Sequence, residues 1–93
     1  MVDDEPAVTE EDPQEFEEPI ILESAHRHGV SEGDMLHALR FAIGHVSQED
    51  DMVMFIGPNL SGNALIEVGV VIWWGGELAI AHAMSPARAK YLR

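Results

Sequence analysis

Residues Leu65 to Trp74 constrain this chain more than any other segment. They read Leu-Ile-Glu-Val-Gly-Val-Val-Ile-Trp-Trp, a run rich in β-branched side chains, which favour a pleated strand. Its longest apolar stretch, Val68 to Trp74, is far too short to span a bilayer. Gly75-Gly76 follows as a two-residue hairpin signal, and Glu77 to Met84 reads as the returning strand. Upstream, Met52 to Ile56 reads as a first strand. It is joined to the long one through Gly57-Pro58-Asn59-Leu60-Ser61-Gly62-Asn63, a segment dense in turn residues. Three strands joined by hairpins imply an antiparallel meander, which needs cover on one face.

Helices supply that cover. Pro19 to His28 reads as a short helix with Pro19 at or near its first position and Gly29 as a left-handed stop. Ser31 caps a second helix, with Asp34 three residues on as a shortened capping box. Met35, Leu36, Leu39, Ala42 and Ile43 recur at helical spacing and are expected to face the core, and Gly44 ends the helix. His37 and Arg40 neighbour each other on another face, and His45 falls in a surface loop. Ser85-Pro86 reads as the cap and first position of a short terminal helix, anchored to the sheet by Tyr91 and Leu92. The order α-α-β-β-β-α predicts an α+β fold, a small antiparallel β-sheet packed with two N-terminal helices and a short C-terminal helix. It forms one domain over residues 19–93.

The formal charge of −12 is unevenly spread, because nine of the seventeen acids lie in residues 1–18. That stretch also holds Pro6 and Pro13 and few large apolar groups. It cannot bury enough surface to offset its ordering entropy, so an acidic, disordered N-terminal arm is expected. The arm is either a solvated tail or an acidic lid over a basic region. From Pro19 onward, eight acids stand against five Lys/Arg, and three of those five lie in Ile80–Arg93. The chain has no cysteine, which excludes disulfides and thiolate metal sites and fits a cytoplasmic protein. No signal peptide opens it.

Cations gathered beside an imidazole suggest a phosphate. Arg88 and Lys90 follow His82 closely. They are either cations placed near a helix C-terminus or a cationic floor for a phosphodiester, with Arg as a planar fork and Lys as a point charge. By period-two alternation Leu78, Ile80, His82 and Met84 share one face. His82 is then either a core histidine with its hydrogen bond satisfied or an acid or base at the strand end. Trp73 and Trp74 straddle the pleat, so one is buried while the other marks a protein interface or stacks on a base. No phosphate loop, nucleotide-fold motif or His-Glu-x-x-His pattern is present, and no serine has a nucleophile context. His26 and His28, two apart, point to different sides of a helix. No metal and no cofactor is expected.

The segment His28-Gly29-Val30-Ser31, with Asp34 and His37-Ala38-Leu39, resembles the "KHGVSFEEA" helix junction of BrnT-type toxins. Ile56-Gly57, Gly62 and Leu65 through Val71 resemble that family's "IG…G..L.VV" hairpin. Ile80 to Leu92 is similar to the "HAM.AR.K(Y/F)L" ending of BrnT-like proteins. The resemblance covers residues 19–93. It implies a ribonuclease-toxin fold related to RelE and the toxin role in a bacterial type II toxin–antitoxin system. The expected activity is metal-independent RNA cleavage by attack of a ribose 2′-hydroxyl on the adjacent phosphate. His28 stands in the family's histidine slot, Arg27 in the place of its preceding lysine, and Arg88 in or near its basic segment. The expected catalytic residues are His82, His37 and Arg88, with Arg40, Lys90 and Arg27 on RNA phosphate and Trp73 and Trp74 at an interface. The expected partners are a cognate antitoxin and RNA, with DNA reached only through the antitoxin, no membrane, and self-association as a further option. The alternative is a catalytically degenerate toxin fold acting as a protein-interaction module, which the small number of cations favours.

Overall fold

The computed structural model describes residues 18–92, so the expected acidic arm (Glu18 apart) and Arg93 lie outside the described residues. One five-stranded sheet forms the body, in the order β1-β5-β4-β3-β2. Its strands are β1 (Ile20–Ile21), β2 (Gly44–Ser47), β3 (Val53–Pro58), β4 (Leu65–Ile72) and β5 (Leu78–Met84). The one α-helix among the described residues, α1 (Glu32–Arg40), packs on β3 and β4. The fold is α+β, with β2 to β5 antiparallel and β1 parallel to β5, so the sheet is mixed rather than purely antiparallel.

The expected first helix, Pro19 to His28, is instead β1 followed by one 3₁₀ turn, Glu23–His26. Ile20 and Ile21 are β-branched and find the free edge of β5, opposite Ala79 and Ile80. The segment left between Ile21 and Gly29 forms only that one turn, a length at which an isolated helix is marginal. The second helix forms as expected at its start, where the Ser31 hydroxyl accepts the Asp34 backbone N–H at 3.1 Å. The Asp34 carboxylate does not turn back to complete a capping box. It accepts the Leu60 N–H at 2.9 Å and ties the helix to the β3–β4 loop. Met35 and Ala38 are buried beneath the helix. Ala42 and Ile43 do not extend it: the helix ends at Arg40, and the Ile43 N–H donates to the Ile56 carbonyl at 2.7 Å. Gly44 therefore opens a strand, and His45 belongs to β2 rather than to a loop.

Gly57 also lies in β3 rather than in the following turn. A Cβ there would fall on the Ala38 carbonyl, so the missing side chain lets the helix lie directly on the strand. At the other hairpin β4 stops at Ile72, and Trp73 to Glu77 form the loop, closed by a 2.6 Å bond from the Trp73 N–H to the Glu77 carbonyl. Gly75 and Gly76 both take positive φ there, 74° and 83°. The tryptophans thus sit in the loop and do not straddle a pleat; both reach solvent, Trp74 with 80 % exposure. After β5 the chain bends at Ser85-Pro86 and makes only a 3₁₀ turn, Ala89–Tyr91, so the expected terminal helix is a single turn.

Each face of the sheet has its own apolar cluster. Ile66, Val68, Val70, Ile80 and Ala83 pack against Ala25, Val30, Met35 and Ala38 on the helix side. On the other side Met54 and Ile56 meet Ala87, with Met52, Leu65 and Tyr91 around them. The C-terminal segment therefore covers the face that α1 leaves open.

Candidate functional site

Alternation along β4 puts Ile66, Val68 and Val70 toward the helix and Glu67 and Gly69 toward the C-terminal segment. In β5 the alternation breaks. Gly69 pairs with His82, but Val70 pairs with Ile80, so Ala81 is an extra residue in the ladder. The Ala81 carbonyl accepts the Ser24 hydroxyl at 2.6 Å. Because of this bulge Ile80 and Ala83 share the helix-side core, and His82 does not share the face of Ile80 as strict alternation predicts. It is turned toward Glu67 instead.

Glu67 is fully buried, and its carboxylate is the centre of the site. Oε2 accepts His82 Nε2 at 2.8 Å and Arg88 Nη2 at 2.6 Å. Oε1 accepts the Arg88 backbone N–H at 2.8 Å, and Arg88 Nε is shared between the two oxygens at 3.2 and 3.1 Å. Burial pushes the Glu67 pKa up. The Arg88 side chain, the Arg88 N–H and His82, all donating to the carboxylate, together with the Arg88 charge, more than reverse this, and the pKa lies below its ordinary value. The same pairing holds the Arg88 guanidinium above its ordinary value.

An ionised carboxylate can only accept, so His82 Nε2 carries the hydrogen in this pair. A neutral His82 then has its lone pair on Nδ1, away from Glu67, in a side chain 22 % exposed. The His28 ring lies edge-on to it, with centroids 5.5 Å apart. Arg88 keeps Nη1 off the carboxylate in a side chain that is 44 % exposed. The Arg88 guanidinium and the Lys90 ammonium both lie over the Tyr91 ring, at 5.5 and 5.1 Å, and the Tyr91 hydroxyl donates to Gln48 Oε1 at 3.1 Å. The arrangement offers an imidazole fixed in one tautomer, a second imidazole beside it, and two cations on the same side of the sheet.

The other expected residues lie elsewhere. His37 and Arg40 are on α1, across the sheet from Glu67. His37 Nδ1 is 2.9 Å from the Pro58 carbonyl, which can only accept, so this histidine ties α1 to the end of β3. Arg40 lies over the Phe41 ring at 5.5 Å. Arg27 is exposed where the first 3₁₀ turn ends, and Trp73 and Trp74 meet edge-to-face at 6.5 Å at the far tip of the β4–β5 hairpin. The structure brings together His82 and Arg88 through Glu67, sets His28 beside His82, links Lys90 to Arg88 only through the Tyr91 ring, and separates them from His37 and Arg40. Sequence reasoning missed Glu67. Its signal was present: a single carboxylate inside the apolar run Leu65–Trp74. Among the described residues no three His, Asp or Glu side chains converge as a metal site, and no helix is long and apolar enough to cross a membrane. No protein-family model, curated protein or solved structure matches the chain.

Proposed function

We propose that the chain is the toxin-like member of a bacterial type II toxin–antitoxin pair, acting in the cytoplasm as a metal-independent endoribonuclease. The observation that carries this reading is the buried Glu67 carboxylate, which fixes both His82 and Arg88. His82 Nδ1 takes the proton of a ribose 2′-hydroxyl, whose oxygen attacks the adjacent phosphorus. Arg88 Nη1 and Lys90 stabilise the charge that builds on the phosphoryl oxygens. His28, protonated, gives its proton to the leaving 5′-oxygen, so the products are a 2′,3′-cyclic phosphate and a 5′-hydroxyl end. A neighbouring antitoxin would hold the activity in check, and DNA would be reached only through that partner.

The test is expression of the full chain without its neighbouring gene, comparing wild type with His82→Ala. Growth arrest with RNA cleavage in wild type, abolished in His82→Ala at unchanged protein level, supports the assignment. Intact RNA in wild-type cells, or cleavage that survives the substitution, overturns it.

A second reading has its own observation. Ile72, Trp73, Trp74 and Leu78 all expose apolar surface at one end of the sheet, as a protein-interaction module would. Harmless, stable expression of wild type, together with binding of a partner protein that Trp74→Ala abolishes, would favour this module over the enzyme.

A further inference from the structure

Among the described residues strand β2 is an edge of the sheet with no strand beyond it, and all four of its residues, Gly44 to Ser47, are exposed. Its outward N–H and C=O groups are a template for another strand. Two common protections are missing, since β2 contains no proline and no lysine. Beside the edge, on the face away from α1, runs a groove of about 390 Å³ lined by Ile43, Val46, Ile56, Leu65, Tyr91 and Leu92. Ile43 is 69 % exposed there, and Val46 and Leu92 are also open to solvent. An edge that offers backbone hydrogen bonds and apolar surface together fits an added strand better than a small ligand.

The charges flanking β2 select the occupant. Arg40 lies just before the strand, and Glu49-Asp50-Asp51 lies just after it. We propose that a second copy of this chain pairs with this edge, β2 against β2 in antiparallel, making one continuous sheet across a two-fold axis. Such an axis stands perpendicular to the sheet and sets one residue opposite itself. With Val46 at the axis, its side chain meets Val46 of the partner subunit on the groove face, since Val46 shares that face with its β3 partner Met54. Arg40 then comes to the acidic turn of the partner subunit, and the same pairing repeats across the axis. The two flanks are of opposite sign, so the antiparallel arrangement matches charges at both ends, whereas a parallel one would stack acids on acids.

This inference does not depend on the proposed activity. The test is sedimentation velocity of the full chain over a wide concentration range at about 0.15 M salt, where a Debye length of about 8 Å confines the repulsion between two acidic copies. A monomer–dimer equilibrium is expected. Val46→Lys should weaken it at least about tenfold, by setting two like charges opposite each other. Arg40→Glu should weaken it as well, and adding Glu49→Arg and Asp50→Arg to that variant should restore it. Trp74→Ala should leave it unchanged. Circular dichroism of each variant checks that it is folded. A chain that stays monomeric throughout overturns the proposal. So does a dimer indifferent to both Val46→Lys and Arg40→Glu, or one abolished by Trp74→Ala, which would place the interface at the hairpin tip.

Discussion

A carboxylate without exposed surface is costly unless its charge is met, and Glu67 meets its own entirely with one arginine and one histidine. Removing one partner should hurt more than removing the pair. Arg88→Leu leaves the buried charge with His82 and a backbone N–H and is expected to cost about 3 kcal/mol, whereas Glu67→Leu with Arg88→Leu should recover most of that loss. Urea unfolding of the single and double variants checks this; an additive result would show that the two side chains are not coupled. Acid provides a second handle. The folded Glu67 carboxyl releases its proton more readily than the unfolded one, because its pKa is lowered. The unfolded chain therefore takes up the proton first as pH falls. The contribution is full above the ordinary carboxylate range and is lost as pH drops through the folded value. Wild type should thus be more stable than Glu67→Gln at neutral pH, with the gap closing in acid, as thermal melts across pH would record. His82 and Arg88 could be named from residue type and neighbourhood alone. Glu67 could be named only by asking what a lone charge does in a strand covered on both faces.

Elements defined by local pattern were readable, and those defined by distant partners were not. The β4–β5 hairpin and the start of α1 carry their own signals, β-branched runs around paired glycines and a serine cap. β1 carries none of comparable strength. Ile20 and Ile21 become a strand because β5 offers an edge, and β2 forms because β3 offers the other. The bulge at Ala81 is equally non-local, since an extra residue is visible only against its partner strand. Gly57 shows the same limit: read as a turn residue, it is the point where helix meets sheet. Gly57→Ala should force α1 away from β3 and lower stability by about 1–3 kcal/mol. Chemical denaturation measures the loss, and a neutral result would mean that the helix shifts without cost.

At the scale of the whole molecule, the sheet decides which cations can act together. Arg88 and Lys90 lie over Tyr91 on the side to which His82 turns, with the His28 ring beside His82, and Arg40 lies on the other side with α1. That division follows from strand order and from the bulge, neither of which can be read from residue spacing. The parallel pairing of β1 with β5 has a consequence in time. Ser24 and its partner Ala81 are 57 positions apart in the chain, and pairings so distant form late. Synthesis delivers Ile20 and Ile21 long before the edge that receives them exists. The hairpins β3–β4 and β4–β5 can close as they emerge, each from neighbours in sequence. The first described segment to leave the ribosome thus waits for the last strand to be made, and until then its isoleucines are open to whatever else in the cell holds an extended apolar strand.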